Sequence, residues 1–118
     1  MIWYVVPNKH WKRGDGFPVM KKGWGNGYVA VPPSHILYKK HYDDVYYMFE
    51  DEAHQISIHG GLTYSDFGDG VNAPEDWWVF GFDTNHFQDD IETWPKEKVE
   101  EETLDLFWQL FELEWGEL

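Results

Sequence analysis

The chain has 118 residues, enough for one domain with a single core and too few for two. It contains no cysteine, which excludes a disulfide framework and any thiolate-based zinc or redox site. The net charge of −13 is unevenly distributed: residues 1–42 carry +6, residues 43–88 carry −10 and residues 89–118 carry −9. Such asymmetry is typical of a chain with a partner-binding surface.

Five short segments rich in β-branched and aromatic residues predict strands, with glycine and proline turns between them. They are residues 2–6, 28–31, 45–49, 55–58 and 77–82. Residues 66–76 are interpreted as a polar loop between two paired strands and as a candidate flap over a site. The pattern predicts one α+β domain over residues 1–118, built on a mainly antiparallel twisted sheet of about five strands.

The C-terminal part of the chain predicts a long helix that covers one face of this sheet. Pro95 suits the first helical turn, where its missing N–H would be unpaired in any case. Side chains suited to a core then recur at three- and four-residue intervals, at Val99, Thr103, Leu106, Phe107, Leu110 and Leu113. The acidic residues between them predict a solvated surface. The alternative is a DNA mimic, in which ordered carboxylates imitate a phosphate backbone.

A histidine, a glycine pair and hydroxyl groups follow one apolar run. His59 precedes Gly60 and Gly61, where backbone without side chains can approach a ligand and offer N–H groups to an anion. Three residues with hydroxyls that suit phosphate or ribose come next: Thr63, Tyr64 and Ser65. The alternative is structural, with the glycine pair as a bend and His59 as a hydrogen-bonded core residue.

A second cluster follows the most apolar run of the chain. Asp83 lies three residues before His86, and Asp89 and Asp90 come just beyond. Such a group can hold a divalent cation or form an Asp–His general-base pair. Equally, Asp83 suits a cap or an Asx turn at a strand end. If the chain is an enzyme, its predicted catalytic residues are His59, Asp83 and His86; no resident cofactor or metal is expected.

A third segment mixes basic and aromatic side chains after the Pro32-Pro33 turn. It supplies four candidate ligand-binding residues: His35, Tyr38, Lys40 and Tyr42. Rings that stack on bases and cations that meet phosphates suit a nucleotide. The alternative is a solvated loop anchored to the core by its rings. Because residues 43–88 contain no base, a phosphate at His59 or His86 would need Lys39 and Lys40 or a second subunit.

These motifs together resemble a group of small proteins of unsettled function from phage, prophage and bacterial genomes. The resemblance spans about residues 24–115 and includes His59-Gly-Gly-Leu-Thr-Tyr-Ser65, Gly81-Phe-Asp-x-x-His86 and Trp94-Pro95. Ile36 stands where a proline is common in the group, and Asn85 where a small residue or cysteine is common. The resemblance implies a counter-defence protein that works in the cytosol of the host cell.

The sequence favours a binding protein that sequesters a small nucleotide immune signal, either a cyclic dinucleotide or an ADP-ribose derivative. Two alternatives are a small hydrolase of a phosphoester-type substrate and an acidic DNA mimic or protein-interaction inhibitor that blocks a host DNA-binding factor. A host defence protein is also considered as a partner. The many aromatic residues also predict a homo-oligomer. No apolar run approaches a membrane span and residues 1–7 lack the features of a signal peptide, so a cytoplasmic location is expected, without membrane or direct nucleic-acid binding.

Overall fold

A computed structural model describes residues 1–8, 22–45, 55–86 and 89–115 of the chain. Four strands, β1 (Ile2–Pro7), β2 (Gly25–Val31), β3 (Tyr64–Phe67) and β4 (Trp78–Phe82), form one sheet in the order β1-β2-β4-β3. Every neighbouring pair is antiparallel. A short helix α1 (Tyr42–Val45) follows β2, and a long helix α2 (Lys96–Trp115) ends the described chain. The predicted α+β architecture is confirmed, with four strands rather than about five.

The predicted strands at 2–6, 28–31 and 77–82 are confirmed by β1, β2 and β4. The predicted strand at 55–58 is wrong, because this segment is irregular. The backbone of Ser57 forms hydrogen bonds with the side chain of Gln109 instead of with a strand. The Ser57 N–H donates to Gln109 Oε1 at 2.7 Å, and Gln109 Nε2 donates to the Ser57 carbonyl at 2.8 Å. An amide on α2 therefore replaces a neighbouring strand.

The predicted strand at 45–49 is wrong at its first residue, because Val45 closes α1. Residues 46–54 lie outside the described residues. The strand that the sequence did not predict is β3, whose residues Tyr64–Phe67 are mostly exposed. Within the described part of the chain, β3 pairs with β4 alone. An edge strand of this kind tolerates polar residues such as Ser65 and Asp66, so it carries no run of apolar side chains.

Helix α2 covers the face of the sheet that carries Val29, Val31, Phe80 and Phe82, all of them buried. The predicted helical stripe is confirmed, since it is buried at every position except Phe107, which is partly buried. Gly27 lets the helix approach β2, because a Cβ there would lie 2.0 Å from Thr103 Oγ1. Ala30 and Val79 point to the other face, where Ala73 from the β3–β4 loop covers them.

The β3–β4 loop, residues 68–77, agrees with the predicted polar loop except that residues 66 and 67 belong to β3. Asp69 organises it by accepting backbone hydrogen bonds from Val71, Asn72 and Ala73. In the described ranges, no helix is long and apolar enough to cross a membrane.

Two leucines of α2 provide a direct test of this packing. Leu106 is fully buried and Leu104 is 36% exposed on the same helix. Leu106→Ala should lower the free energy of unfolding by about 2–5 kcal/mol, because it leaves a cavity against the sheet. Leu104→Ala should lower it by less than about 1 kcal/mol. Urea denaturation followed by far-UV circular dichroism measures both, and equal losses would contradict the packing.

Candidate functional site

Two of the three sequence motifs meet at one end of the sheet. His59, Asp83, His86 and Asp89 form what we call the histidine cluster. Asp89 is only 4% exposed, and its Oδ1 lies 2.9 Å from His59 Nε2. Its Oδ2 accepts the backbone N–H of His86 at 2.9 Å and lies 3.5 Å from His86 Nδ1. One buried carboxylate therefore joins two histidines that are distant in sequence.

The chain after β4 is folded to present His86. Asp83 Oδ1 accepts the Asn85 N–H at 3.0 Å, which is an Asx turn at the strand end. Thr84 is buried and its hydroxyl donates to the Gly25 carbonyl at 2.7 Å. The same Asp83 Oδ1 lies 3.2 Å from His86 Nδ1. Asp83 thus fulfils its predicted turn role and also faces the histidine.

Gly60 makes room for His86. Its φ is +67°, a left-handed conformation that glycine adopts without strain. A Cβ at this position would lie 2.3 Å from His86 Cε1 and 2.6 Å from His86 Nε2. The sequence predicted that this glycine would admit a ligand; the group that approaches its backbone is the imidazole of His86.

His86 Nδ1 lies in a strongly negative environment. This nitrogen is buried and makes no hydrogen bond with any described residue, although carboxylate oxygens of Asp83 and Asp89 lie 3.2 and 3.5 Å away. The contact with Asp83 is close but is not aligned as a hydrogen bond. A lone pair facing two carboxylates is unfavourable, so this nitrogen requires either the imidazole tautomer that carries its hydrogen here or a bound metal ion. The nitrogens of His59 and His86 and the Asp89 carboxylate offer ligand atoms that all lie within 4.8 Å of one another.

Residues from the α2 region hold His59 in place. The Trp94 ring lies against the imidazole with centroids 4.0 Å apart, and the Lys98 ammonium lies 4.8 Å from the centroid of the same indole. The His59 N–H donates to Glu102 Oε1 at 2.8 Å. The surroundings of the cluster therefore include a third carboxylate and a lysine that the sequence analysis did not assign to the site.

Two of the backbone amides that follow His59, those of Gly61 and Thr63, donate hydrogen bonds within the fold. Gly61, at φ +76°, donates its N–H to the Ile58 carbonyl at 3.0 Å. Thr63 donates its N–H to the Gly81 carbonyl at 2.9 Å. The predicted role of these amides as anion donors gains no support from this arrangement, and the alternative of a structural bend fits Gly61.

His35 lies apart from the cluster as a hydrogen-bonded core histidine. It is 3% exposed, its Nε2 lies 2.7 Å from the Leu110 carbonyl and its Nδ1 accepts the Leu37 N–H at 3.0 Å. Leu110 follows Glu102 by eight residues, which is about 12 Å along a helix. His35 and His59 therefore contact α2 at well-separated positions.

Tyr38 and Lys40 lie at the opposite end of β4, whereas Tyr42 contacts Ser65, which pairs with Phe80 in the middle of β4. Trp78 Nε1 donates to the Lys40 carbonyl at 2.8 Å, and the Tyr42 N–H donates to Ser65 Oγ at 3.0 Å. The Tyr38 hydroxyl donates to the Asp76 carbonyl at 2.7 Å. Trp78 begins β4. The structure thus brings the His59 and His86 motifs together and leaves the lysine segment apart.

Asp89 is the carboxylate at the centre of the cluster, and its spacing after His86 was a visible signal in the sequence. Lys98 and Glu102 had no such signal, because only the packing of α2 brings them to Trp94 and His59. Trp94 stood out in the sequence only as part of the Trp94-Pro95 motif. Comparisons with models of known protein families, with curated proteins and with solved structures found no match.

The close approach of Gly60 to His86 predicts a local effect of one added methyl group. Gly60→Ala should displace the His86 ring and change the imidazole ¹⁵N and ¹H NMR signals of His59 and His86. Gly70→Ala is the matched control, because Gly70 also has a positive φ of +78° but its Cβ would meet only the Glu75 side chain, at 3.0 Å. Both variants carry a backbone strain of roughly 1–2 kcal/mol. Unchanged histidine signals in Gly60→Ala would contradict the described contact.

Proposed function

We propose that the histidine cluster binds a divalent cation and that the protein is a small metal-dependent hydrolase of phosphoester bonds. The observation that carries the proposal is the buried Nδ1 of His86, which has no hydrogen bond among the described residues and faces the carboxylates of Asp83 and Asp89. His59, His86 and Asp89 each offer one ligand atom to a cation, and these atoms lie within 4.8 Å of one another.

The donor set suits a first-row transition metal. Two imidazoles and one carboxylate are ligands that Zn²⁺, Mn²⁺ and Fe²⁺ accept. Metal–ligand bonds of about 2.0–2.2 Å place tetrahedral ligand atoms about 3.4 Å apart. Side-chain rotation would bring the most widely separated atoms, up to 4.8 Å apart, about 1.4 Å closer and would widen the 2.9 Å separation of His59 Nε2 and Asp89 Oδ1 by about half an ångström. The metal would replace the proton on His59 Nε2, as metal binding to histidine requires.

Three protein ligands leave a coordination position for water, which is the arrangement of catalytic rather than structural sites. A bound divalent cation lowers the pKa of that water so that hydroxide forms near neutral pH. In such a reaction the oxygen of the water would form a bond to phosphorus, the P–O bond to the leaving group would break, and the proton released by the water would reach the leaving oxygen. Asp83 is partly exposed beside His86, so it would accept the proton from the water and pass it on.

A metal ion would compensate the negative charge of the carboxylates around the two histidines. Asp83, Asp89 and Glu102 surround the histidines, and Lys39 and Lys40 lie at the other end of β4. A phosphate would be repelled by these carboxylates unless a divalent cation neutralised them. Lys98 would add one positive charge beside the site. The proposal therefore departs from the expectation of a protein without a metal and favours the hydrolase alternative.

Metal titration and hydrolysis assays on the same samples test the proposal. Zn²⁺ or Mn²⁺ added to tag-free, EDTA-dialysed protein should bind with one ion per chain in calorimetry. His86→Ala and Asp89→Ala should weaken binding by more than about 100-fold, since changes even outside the ligand set cost ~10–100-fold. The matched control is His41→Ala, which removes an exposed histidine that contacts Tyr42.

The metal-loaded protein should hydrolyse bis(4-nitrophenyl) phosphate or a member of a nucleotide panel. Asp83→Asn retains the oxygen that accepts the Asn85 N–H, so it should bind the metal and lose roughly 100-fold or more in rate. Metal binding without turnover of any phosphoester would contradict the hydrolase and leave the metal site intact. Absence of metal binding would contradict both.

Nucleotide sequestration remains a second candidate because of a surface that we call the Lys39 patch: Tyr38, Lys39, Lys40 and Phe67. The Lys39 ammonium lies 5.7 Å from the Tyr38 ring centroid and 5.8 Å from that of Phe67. Phe67 is exposed, so a ring and a cation are available side by side. This combination suits a base and its phosphate, and it would act without the histidine cluster.

The Lys39 patch predicts binding of a cyclic dinucleotide or ADP-ribose that depends on one lysine. Lys39→Ala should weaken that binding about tenfold, which corresponds to ~1.4 kcal/mol. Lys96→Ala is the matched control, because this lysine also lies 5.7 Å from a ring centroid, that of Trp24, outside the patch. Calorimetry followed by mass analysis of the ligand separates the candidates. No binding, or equal losses in both variants, would exclude sequestration at this patch.

A homo-oligomer and a complex with a host defence protein remain predictions of the sequence. The exposed surface that would serve either one includes Trp108, which is 54% exposed and lies beside Phe107 and Phe111 on α2. The acidic mimic also remains a prediction, and its surface would use the exposed Glu101 and Asp105 and the partly exposed Glu100.

A further inference from the structure

A pocket lined by tyrosines lies on the face of the sheet opposite α2. Tyr4 on β1 pairs with Tyr28 on β2, and both pack with Ala30 and Val79 rather than with the residues that face the helix. Together with Tyr64 on β3 and residues of the β3–β4 loop they line a cavity of about 180 Å³ that is partly open to solvent. We call it the tyrosine pocket.

Three rings form a continuous aromatic wall. Tyr4 and Tyr28 are stacked with centroids 5.1 Å apart, and Tyr28 meets Tyr64 edge to face at 5.4 Å. Gly81 lies between Tyr28 and Tyr64 in the sheet register, and a Cβ there would come within 2.6 Å of the Tyr28 ring. The glycine therefore leaves space for the ring. Phe67 adds a fourth aromatic side chain to the lining.

The loop adds a fixed negative charge. Asp69 Oδ1 accepts three backbone N–H groups, and Oδ2 accepts the Asn72 side-chain amide at 2.9 Å. The hydrogen bond from the Val71 N–H, with the other bonds from the loop, lowers the pKa of Asp69 to about 2. Burial first and the Asp69 charge second raise the pKa of Tyr4, while burial first and Asp66 second raise that of Tyr64. At neutral pH the pocket thus holds neutral rings beside a carboxylate.

We infer that the tyrosine pocket binds a methylated ammonium group. Ring faces attract a cation, and quaternary ammonium groups are the ligands that clusters of aromatic rings recognise. Most of the hydrogen-bonding capacity of Asp69 is used by its own loop, so it offers charge rather than a strong acceptor. A cation with no N–H groups to satisfy suits such a site better than a primary ammonium or a guanidinium.

The size of the cavity limits the ligand. Small-molecule sites usually enclose about 300–1,000 Å³, so a space of about 180 Å³ suits a head group rather than a nucleotide. Of the residues that the structure describes, neither a lysine nor an arginine lines the pocket. The trimethylammonium group could come from a free molecule such as choline or from a trimethyl-lysine side chain in a peptide. Both present the same chemistry to the rings.

Titration of the full chain with tetramethylammonium, choline and a trimethyl-lysine peptide, followed by ¹H–¹⁵N NMR shifts of residues around the pocket, tests the inference. The neutral isostere 3,3-dimethylbutanol and the unmethylated peptide should each bind about tenfold more weakly. A response to choline alone or to the peptide alone identifies the source of the group. Equal binding of the charged and neutral isosteres, equal binding of methylated and unmethylated lysine, or no binding at all would overturn the inference.

Variants separate the pocket from a general effect of charge. Tyr64→Leu should weaken tetramethylammonium binding at least fivefold, whereas Tyr64→Phe, which retains the ring, should bind as the parent does. Asp69→Asn should weaken tetramethylammonium binding to a similar extent. Asp105→Asn is the control, because it makes the same charge change on α2 and should leave this binding unchanged. Equal affinities of Tyr64→Leu and Tyr64→Phe, or of Asp69→Asn and Asp105→Asn, would overturn the inference.

Discussion

The buried carboxylate of Asp89 is the interaction on which the candidate site depends. Burying an ionised carboxylate is costly unless hydrogen bonds and a positive partner compensate it. Here the backbone N–H of His86 and the imidazole of His59 supply hydrogen bonds, and Asp83 adds a second negative charge beside His86. The arrangement therefore requires either a hydrogen on His86 Nδ1 or a cation between the carboxylates. This requirement comes from packing and would exist whatever the protein acts on.

The fold explains why two motifs that are distant in sequence can share this carboxylate. Antiparallel pairing of β3 with β4 brings the chain before β3 beside the end of β4, so His59 and His86 arrive at the same edge. Helix α2 then closes the site from one side, through Glu102 on the His59 backbone and Lys98 over Trp94. Gly60 allows the two segments to approach within contact distance. The cluster thus depends on β-sheet register and on the position of the helix together.

The sequence predicted what periodicity and local chemistry determine, and no more. The stripe on α2 and the apolar strands were visible because their burial leaves a regular pattern in the residues. Residues 55–58 look like a strand in sequence, but their partner is the Gln109 side chain, which no local pattern can indicate. The lysine segment was assigned to the histidines by charge alone. In the structure the lysine segment lies away from the histidines, because the lengths of β3 and β4 separate Lys40 and Trp78 from Asp83 and His86.

The positions of the carboxylates in the structure indicate which ligands the net charge of −13 favours. A field of this sign concentrates cations around the protein and disfavours the approach of anions. The histidine cluster and the tyrosine pocket both present fixed carboxylates, on separate parts of the sheet, so both suit cations. An anionic substrate would reach the cluster only after a divalent ion had neutralised most of the local negative charge. Metal binding would then act as a condition for substrate binding as well as for chemistry, and the acidity of the chain would favour the ion at each step. The acidic composition disfavours a phosphate site without a metal ion. It is compatible with a phosphate site that depends on one.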